Sequence, residues 1–224
     1  MIASRLVASL VALLLLAVAC GGDAEPANGR VVSLTTTACG HASKTTGAGV
    51  IAEDGWVIAA GHVVSGAGSV TVSGPFGQQT GEVVVLDKAA DLALIAVPGV
   101  SAAPIELAGS SSGASVELAG GGPSGSLQAS VIRPVEVRVE AVRSTERISR
   151  VGYELDVRVE LGDSGGGVFD SQDRLVGVVF GRPLNDEPRS FIVGQDAVAQ
   201  LLATDRTGSW SCDPEQHRVV SVAG

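Results

Sequence analysis

The sequence predicts an all-β fold: two small antiparallel β-barrels joined by a linker and closed by a C-terminal helix. Three observations carry that expectation. Short Val-rich runs follow one another along the chain with turn chemistry between them. Thirty glycines and nine prolines among 224 residues favour strands and turns over long helices. A stretch rich in Ala, Ser, Gly and Pro, residues 98–115, divides the strand-like runs into two sets of about six. Full closure of each set would remove the exposed edges that Val-rich strands otherwise present.

Taken in order, the first set comprises residues 31–36, 47–52, 56–60, 69–72, 82–86 and 92–97. Glu53, Asp54 and Gly55 supply the clearest turn, between the second and third runs. The second set comprises residues 116–119, 127–132, 135–142, 153–159, 166–170, 176–180 and 190–193. Residues 195–203 then space Val198, Leu201 and Leu202 on one helical face, with Asp196 in the first turn where the helix dipole favours an acid. Aromatic residues make up only 3% of the chain, so the core is built from Val, Leu, Ile and Ala. The expected organisation is a first barrel over 31–97, the linker over 98–115, and a second barrel with its helix over 116–205. The folded domain runs over 31–212, and a tail follows over 213–224.

Residues 1–19 stand apart from the fold. One cation, Arg5, precedes an uninterrupted run of small and aliphatic residues, which has the length and character of a secretory signal. A single-pass membrane span is the competing reading, but the apolar stretch is short for one. It ends in Ala17, Val18, Ala19 and Cys20, an ending that resembles the lipobox of bacterial lipoproteins, with Ala17 where Leu is usual. That resemblance implies an acylated Cys20 as the mature N-terminus. Residues 20–30 are small, polar and proline-bearing, as suits a tether.

Three cysteines leave one unpaired in an exported protein, and lipidation of Cys20 removes the odd one. Cys39 and Cys212 then remain for each other, with two free thiols as the alternative. A bridge closing almost the whole domain would stabilise it by about 4–5 kcal/mol in the chain-entropy view. The net charge of −9 and a pI near 4.7 exclude nucleic acid as the expected partner, since no basic stripe is present to neutralise phosphates.

The chemistry begins at Gly-Asp-Ser-Gly-Gly-Gly, residues 162–167. Ser164 stands among glycines that let a substrate backbone approach its hydroxyl and let the Gly162 amide turn toward a developing negative charge. A serine hydroxyl needs a base, and the base needs a carboxylate to fix its tautomer. Of the three histidines, His41 lies in a polar entry segment and His217 in the charged tail. His62 instead follows a strand, in Ala-Ala-Gly-His-Val-Val, where a strand ends and a loop begins. Asp91 opens Asp-Leu-Ala-Leu-Ile-Ala-Val, so its neighbours are drawn into a core and the acid wants a partner. Read alone, Asp91 is equally a turn aspartate capping a strand. Asp87 is its rival, beside Lys88 in a polar turn.

The order His, Asp, Ser and the three motifs around His62, Asp91 and Ser164 resemble the chymotrypsin-like, or trypsin-like, serine peptidases. The compact spacing is similar to the bacterial HtrA-type branch, and the cysteine placement to MarP-like protease domains. The resemblance spans about residues 31–212. It implies that Ser164 is the nucleophile, His62 the general base and then acid, Asp91 the residue that orients it, and the amides of Gly162 and Ser164 the oxyanion hole. It also implies that Val179, Phe180 and Gly181 lie along the wall that pairs with substrate, and that no metal or other cofactor is required. Arg158 falls near the expected base of the specificity pocket.

The match departs from the family in three places. Gly167 stands for the usual proline, Gly61 for the usual alanine before the histidine, and Asp163 lacks the newly cut N-terminus that its counterpart pairs with in digestive enzymes. Asp163 therefore needs another partner, for which a basic side chain is the first candidate. The expected function is a serine endopeptidase, tethered through Cys20 to the outer face of a bacterial membrane, or secreted if not lipidated. It would act on proteins or peptides as a monomer, since no PDZ-like segment is read after Leu202. The alternative is a catalytically silent lipoprotein that captures extended peptides, and an esterase would use the same acyl chemistry.

Overall fold

The computed structural model describes residues 29–40, 42–140, 145–209 and 212. The expected signal segment, Cys20, most of the tether, His41, His217 and the tail lie outside the described residues. Twelve strands and two helices occupy the rest, in two closed six-stranded barrels.

The first barrel contains β1 (Val31–Ala38), β2 (Lys44–Glu53), β3 (Trp56–Ala60), β4 (Ala67–Gly74), β5 (Gly77–Asp87) and β6 (Leu92–Ala96). Its spatial order is β1, β2, β3, β6, β5, β4, and antiparallel pairing of β4 with β1 closes it. A single helical turn, α1 (Gly61–Val64), follows β3 directly. The second barrel contains β7 (Ser115–Ala119), β8 (Ser126–Glu140), β9 (Arg147–Leu155), β10 (Gly167–Phe169), β11 (Leu175–Gly181) and β12 (Ser190–Gly194). There the order is β10, β11, β12, β9, β8, β7, closed by β7 on β10. The helix α2 (Gln195–Ala203) has the predicted bounds and buries Val198 and Leu201.

Three expectations change, the first being β9, which runs over Arg147–Leu155 and not over residues 153–159. The separate runs 127–132 and 135–142 are one long strand, β8, that passes through Pro134. Beyond Val131, which still bonds to Gly113 and Ala114, this strand pairs only with β9 among the described strands, so a residue lacking an amide hydrogen is accommodated there. The polar residues 77–81, not expected in a strand, begin β5, because the loop Pro75–Phe76 folds them straight back onto β4. Strands of a barrel expose one face, and polar residues are at home there.

The core has three apolar clusters, and one of them is shared. Val31, Ala48, Val50, Ile58, Leu92 and Leu94 of the first barrel meet Phe169, Leu175, Val178 and Val193 of the second, with Val198 and Leu201 of α2. This cluster packs the two barrels into one unit. The linker seals its rim: Ile105 N–H donates to the Ala52 carbonyl at 2.7 Å, and Leu175 N–H to the Glu106 carbonyl at 2.8 Å.

Cys39, at the exit of β1, is disulfide-bonded to Cys212, 173 residues on. Gly68 makes room for the bridge, since a Cβ there would lie 2.8 Å from Cys212 Sγ. Chain-entropy arguments give a loop of this length a large effect. Replacing both residues by serine is expected to lower the unfolding free energy by about 2–5 kcal/mol, measured by urea denaturation without reductant.

Candidate active site

His62 is the second residue of α1, presented at the point where β3 ends against β6. The turn between β5 and β6 brings Asp91 beneath it. Asp91 is 2% exposed and has a φ of +60°, a left-handed conformation that aspartate tolerates better than most side chains. That conformation aims carbonyl and carboxylate together at α1. The Asp91 carbonyl accepts from Gly61 N–H at 2.8 Å, Oδ1 accepts from His62 N–H at 2.7 Å, and Oδ2 lies 2.8 Å from His62 Nδ1. A carboxylate can only accept, so Nδ1 carries the hydrogen and Nε2 of the neutral ring keeps its lone pair.

Asp87, expected to be a solvated turn acid, is instead buried and caps its own turn, accepting from the amides of Ala89 and Ala90 at 2.9 Å. This places Asp91 where His62 can meet it.

Ser164 comes from the second barrel, on the loop between β9 and β10. Its carbonyl accepts from Ala48 N–H of β2 at 2.7 Å, while Gly165 N–H donates to the Val179 carbonyl at 2.8 Å. Gly165, at φ +89°, lies directly against the Ala48 carbonyl, and a Cβ there would be 3.0 Å from Ala60 N at the entry to α1. Val63, beside His62, and the Ser164 carbonyl both converge on Gly47. The serine loop is thus pinned against the helical turn that carries His62. Among the described residues no hydrogen bond joins Ser164 Oγ to the His62 ring, and such bonds commonly tighten only when substrate arrives.

Neither Gly162 N–H nor Ser164 N–H has a backbone acceptor among the described residues. Gly162 adopts φ +104°, a value that suits glycine alone. Between the two, Asp163 is fully buried and holds the loop. Its partner is not a basic side chain. Oδ1 accepts from Gly122 N–H at 3.2 Å, and Oδ2 accepts from Ser124 Oγ at 2.6 Å and Glu160 N–H at 2.8 Å. Neutral donors from a neighbouring turn replace a cation, which is why no ion-pair partner stands out in the sequence.

Val179 is buried and spends its amide on Gly166 and its carbonyl on Gly165. Phe180 and Gly181 continue past the last β10 partner, and the register of β11 on β12 shifts there. The Phe180 ring stacks on Phe191 with centroids 6.1 Å apart. Arg158 faces outward enough to pair with Glu160 at 3.0 Å and Asp186 at 3.5 Å.

Arg150 carries no signal in the sequence that marks it as part of a site. It is buried on β9, donates from Nε to the Ala89 carbonyl at 2.9 Å, and places Nη1 3.3 Å from Asp91 Oδ2. Strand alternation does set it on the inward face with Gly152 and Glu154, but nothing local names a partner 59 residues earlier in the chain.

A double barrel with a His–Asp pair on one half, facing a glycine-flanked serine on the other, has the layout of a two-barrel hydrolase. The trypsin-like peptidase domain family matches residues 45–178, and the chain belongs to that family. The serine proteases MT3772 and Rv3671c of Mycobacterium tuberculosis are each 31% identical to it over 180 residues, which cover 74% of this chain and 44% of theirs. The chain therefore spans less than half the length of these curated relatives. The solved active form of the Rv3671c protease superposes with a TM-score of 0.73 at 28% identity, covering 84% of this chain and 85% of that one. The HtrA-type protease AlgW, solved with a tripeptide, shares the fold with a TM-score of 0.63 at 19% identity, covering 78% of this chain and 59% of its own.

The Asp163 anchor is testable without a substrate. Ser124→Ala removes the shortest of its three bonds and leaves a buried carboxylate short of a donor, and is expected to destabilise the domain by about 1–3 kcal/mol in thermal or urea unfolding.

Proposed function

We propose that the chain is a serine endopeptidase that hydrolyses peptide bonds through Ser164, His62 and Asp91 and an acyl-enzyme. The observation that carries this reading is the pairing of a doubly held His62 with a serine loop in which the Gly162 and Ser164 amides have no backbone acceptor among the described residues. Ser164 Oγ attacks the scissile carbonyl carbon as its proton passes to His62 Nε2. The carbonyl oxygen becomes an oxyanion that the N–H groups of Gly162 and Ser164 receive, an interaction worth several kcal/mol in a water-poor site. Asp91 fixes the ring through Nδ1 and offsets the imidazolium charge. His62 then returns the proton to the leaving amine, and water repeats the sequence on the acyl-enzyme. The open edge at Phe180 and Gly181 offers backbone for an extended substrate to pair with, Val179 serving as the buried end of that wall.

We further propose that Cys20 is lipidated after removal of residues 1–19, which would hold the domain on the outer face of a bacterial membrane. The motif at residues 17–20 supports this, and the short polar tether would keep the barrels near the surface.

Labelling with a fluorophosphonate and hydrolysis of an unfolded protein substrate test the catalytic reading. The expected result is labelling of the parent protein and none of Ser164→Ala. Turnover of His62→Ala should fall by about 10⁴-fold or more, and that of Asp91→Asn by about 10⁴-fold. A folded parent that stays unlabelled but binds extended peptides would instead be a silent capture protein. For the anchor, Cys20→Ala is expected to abolish incorporation of labelled palmitate and release the protein from the membrane fraction of a bacterial host.

A further inference from the structure

Asp91 belongs to the first barrel, yet its third partner comes from the second. Arg150 reaches across from β9, and its Nη1 stands 3.3 Å from the same Oδ2 that faces His62 Nδ1 at 2.8 Å. Two further contacts hold the side chain. Nε is tied to the Ala89 carbonyl at 2.9 Å, and the guanidinium lies 5.2 Å from the centre of the Phe180 ring, which stacks in turn on Phe191. Burial pulls the guanidinium below its ordinary value, while the Asp91 and Asp87 carboxylates pull it back up. An arginine stays charged throughout the working range, so a full cation is buried beside the acid of the triad. A buried cation is costly unless its partners are close and well placed, and packing alone would be served better by an apolar residue.

We propose that Arg150 is a positioning residue for Asp91, locking the carboxylate from the second barrel and sharing Oδ2 with His62. This rests on the triad reading above. The Asp91 carboxylate then has its full set of partners only when the barrels are docked, so the His62–Asp91 pair is tied to the integrity of the seam. The guanidinium and the His62 ring share one oxygen, so removing the guanidinium leaves Oδ2 to the ring alone. Among the described residues, Asp87 on the β5–β6 turn and Arg150 on β9 are the charged groups that act on Asp91 or on its partner, and Tyr153 on β9 and Asp196 on α2 line the cavity beside Asp87 and Arg150. Phe180 on β11 and Val63 on α1 contribute no charge.

The experiment compares Arg150→Met, which keeps length and removes charge, with Arg150→Lys, which restores a cation. The rate of fluorophosphonate labelling is followed from about pH 5 to pH 9 in each. The His62 ring titration is followed by NMR in the Ser164→Ala background, its signal assigned by His62→Gln. In Arg150→Met the acid limb of labelling and the ring titration are expected to move together to higher pH. Labelling near pH 5.5 should then slow about ten-fold more than labelling near pH 8, and Arg150→Lys should recover part of the shift. A slower Arg150→Met with an unmoved acid limb and an unmoved ring titration would overturn the proposal and leave Arg150 a packing residue. If Arg150→Met lacks a cooperative melt, Arg150→Gln, which keeps a donor for the Ala89 carbonyl, takes its place: a joint shift to higher pH supports the proposal, and an unmoved limb and titration overturn it. A parent protein that is never labelled would remove the catalytic reading, while the ring titration in Ser164→Ala would still decide whether Arg150 governs the His62–Asp91 pair.

Discussion

The seam between the barrels is the constraint on which the site depends. His62 and Asp91 stand on one barrel and Ser164 on the other, so no local structure brings the three together. The shared apolar cluster supplies the attraction. Val50, Ile58, Leu92 and Leu94 face Phe169, Leu175, Val178 and Val193, and α2 closes the bottom with Val198 and Leu201. Each such side chain contributes about 1.5–3 kcal/mol on burial. Close approach then depends on small residues. Gly47, Ala48 and Gly165 let main chain touch main chain, which is what permits Ala48 N–H to hold the Ser164 carbonyl at 2.7 Å. A Cβ at Gly47 would lie 2.9 Å from the Ser164 carbonyl and one at Gly165 would collide with the Ala48 carbonyl, so the contact between the barrels would have to shift.

Charges at and near the seam follow the same logic. Arg150 enters buried surroundings with Asp91 and Asp87 as counter-charges. Glu154, on the same face of β9, is nearly inaccessible and is gripped by Arg189 at 2.6 Å and Arg133 at 2.7 Å. Burial opposes its ionisation, yet the two arginines outweigh that cost and hold the Glu154 carboxyl below its ordinary value. Its contribution to stability is therefore present above the ordinary carboxylate range and is lost as pH falls through it toward the lowered value. Buried ions without such partners would cost several kcal/mol each.

Much of the architecture is readable from periodicity, because barrel strands alternate and glycine marks their turns. The strands of the first barrel, the helix at residues 195–203, and the motifs around His62, Asp91 and Ser164 all rest on neighbours within a few positions. What the sequence hides is long-range or masked by polarity. Gln78, Gln79 and Thr80 give no apolar signal although they lie in β5, and Pro134 makes one strand look like two. Asp87 looks solvated because Lys88 follows it, yet its carboxylate serves two amides within three residues. Arg150 cannot be paired with Asp91 from the sequence, because their proximity is a product of barrel docking and not of spacing.

Asp163 shows how the fold replaces a feature the sequence lacks. In the digestive enzymes that the motif resembles, the matching acid pairs with a newly cut N-terminus. Here the three donors belong to residues already in place: Glu160 three positions earlier, and Gly122 and Ser124 in the turn between β7 and β8. Gly120 and Gly122 crowd the carboxylate so closely that a Cβ at either would collide with Oδ1. A charge solvated by neutral dipoles needs all of them, since each bond offsets only part of its lost hydration. The 120–125 turn thus sets the order of the serine loop. On the proposed reading, the Gly162 and Ser164 amides on either side of Asp163 are ordered through these three bonds to its carboxylate.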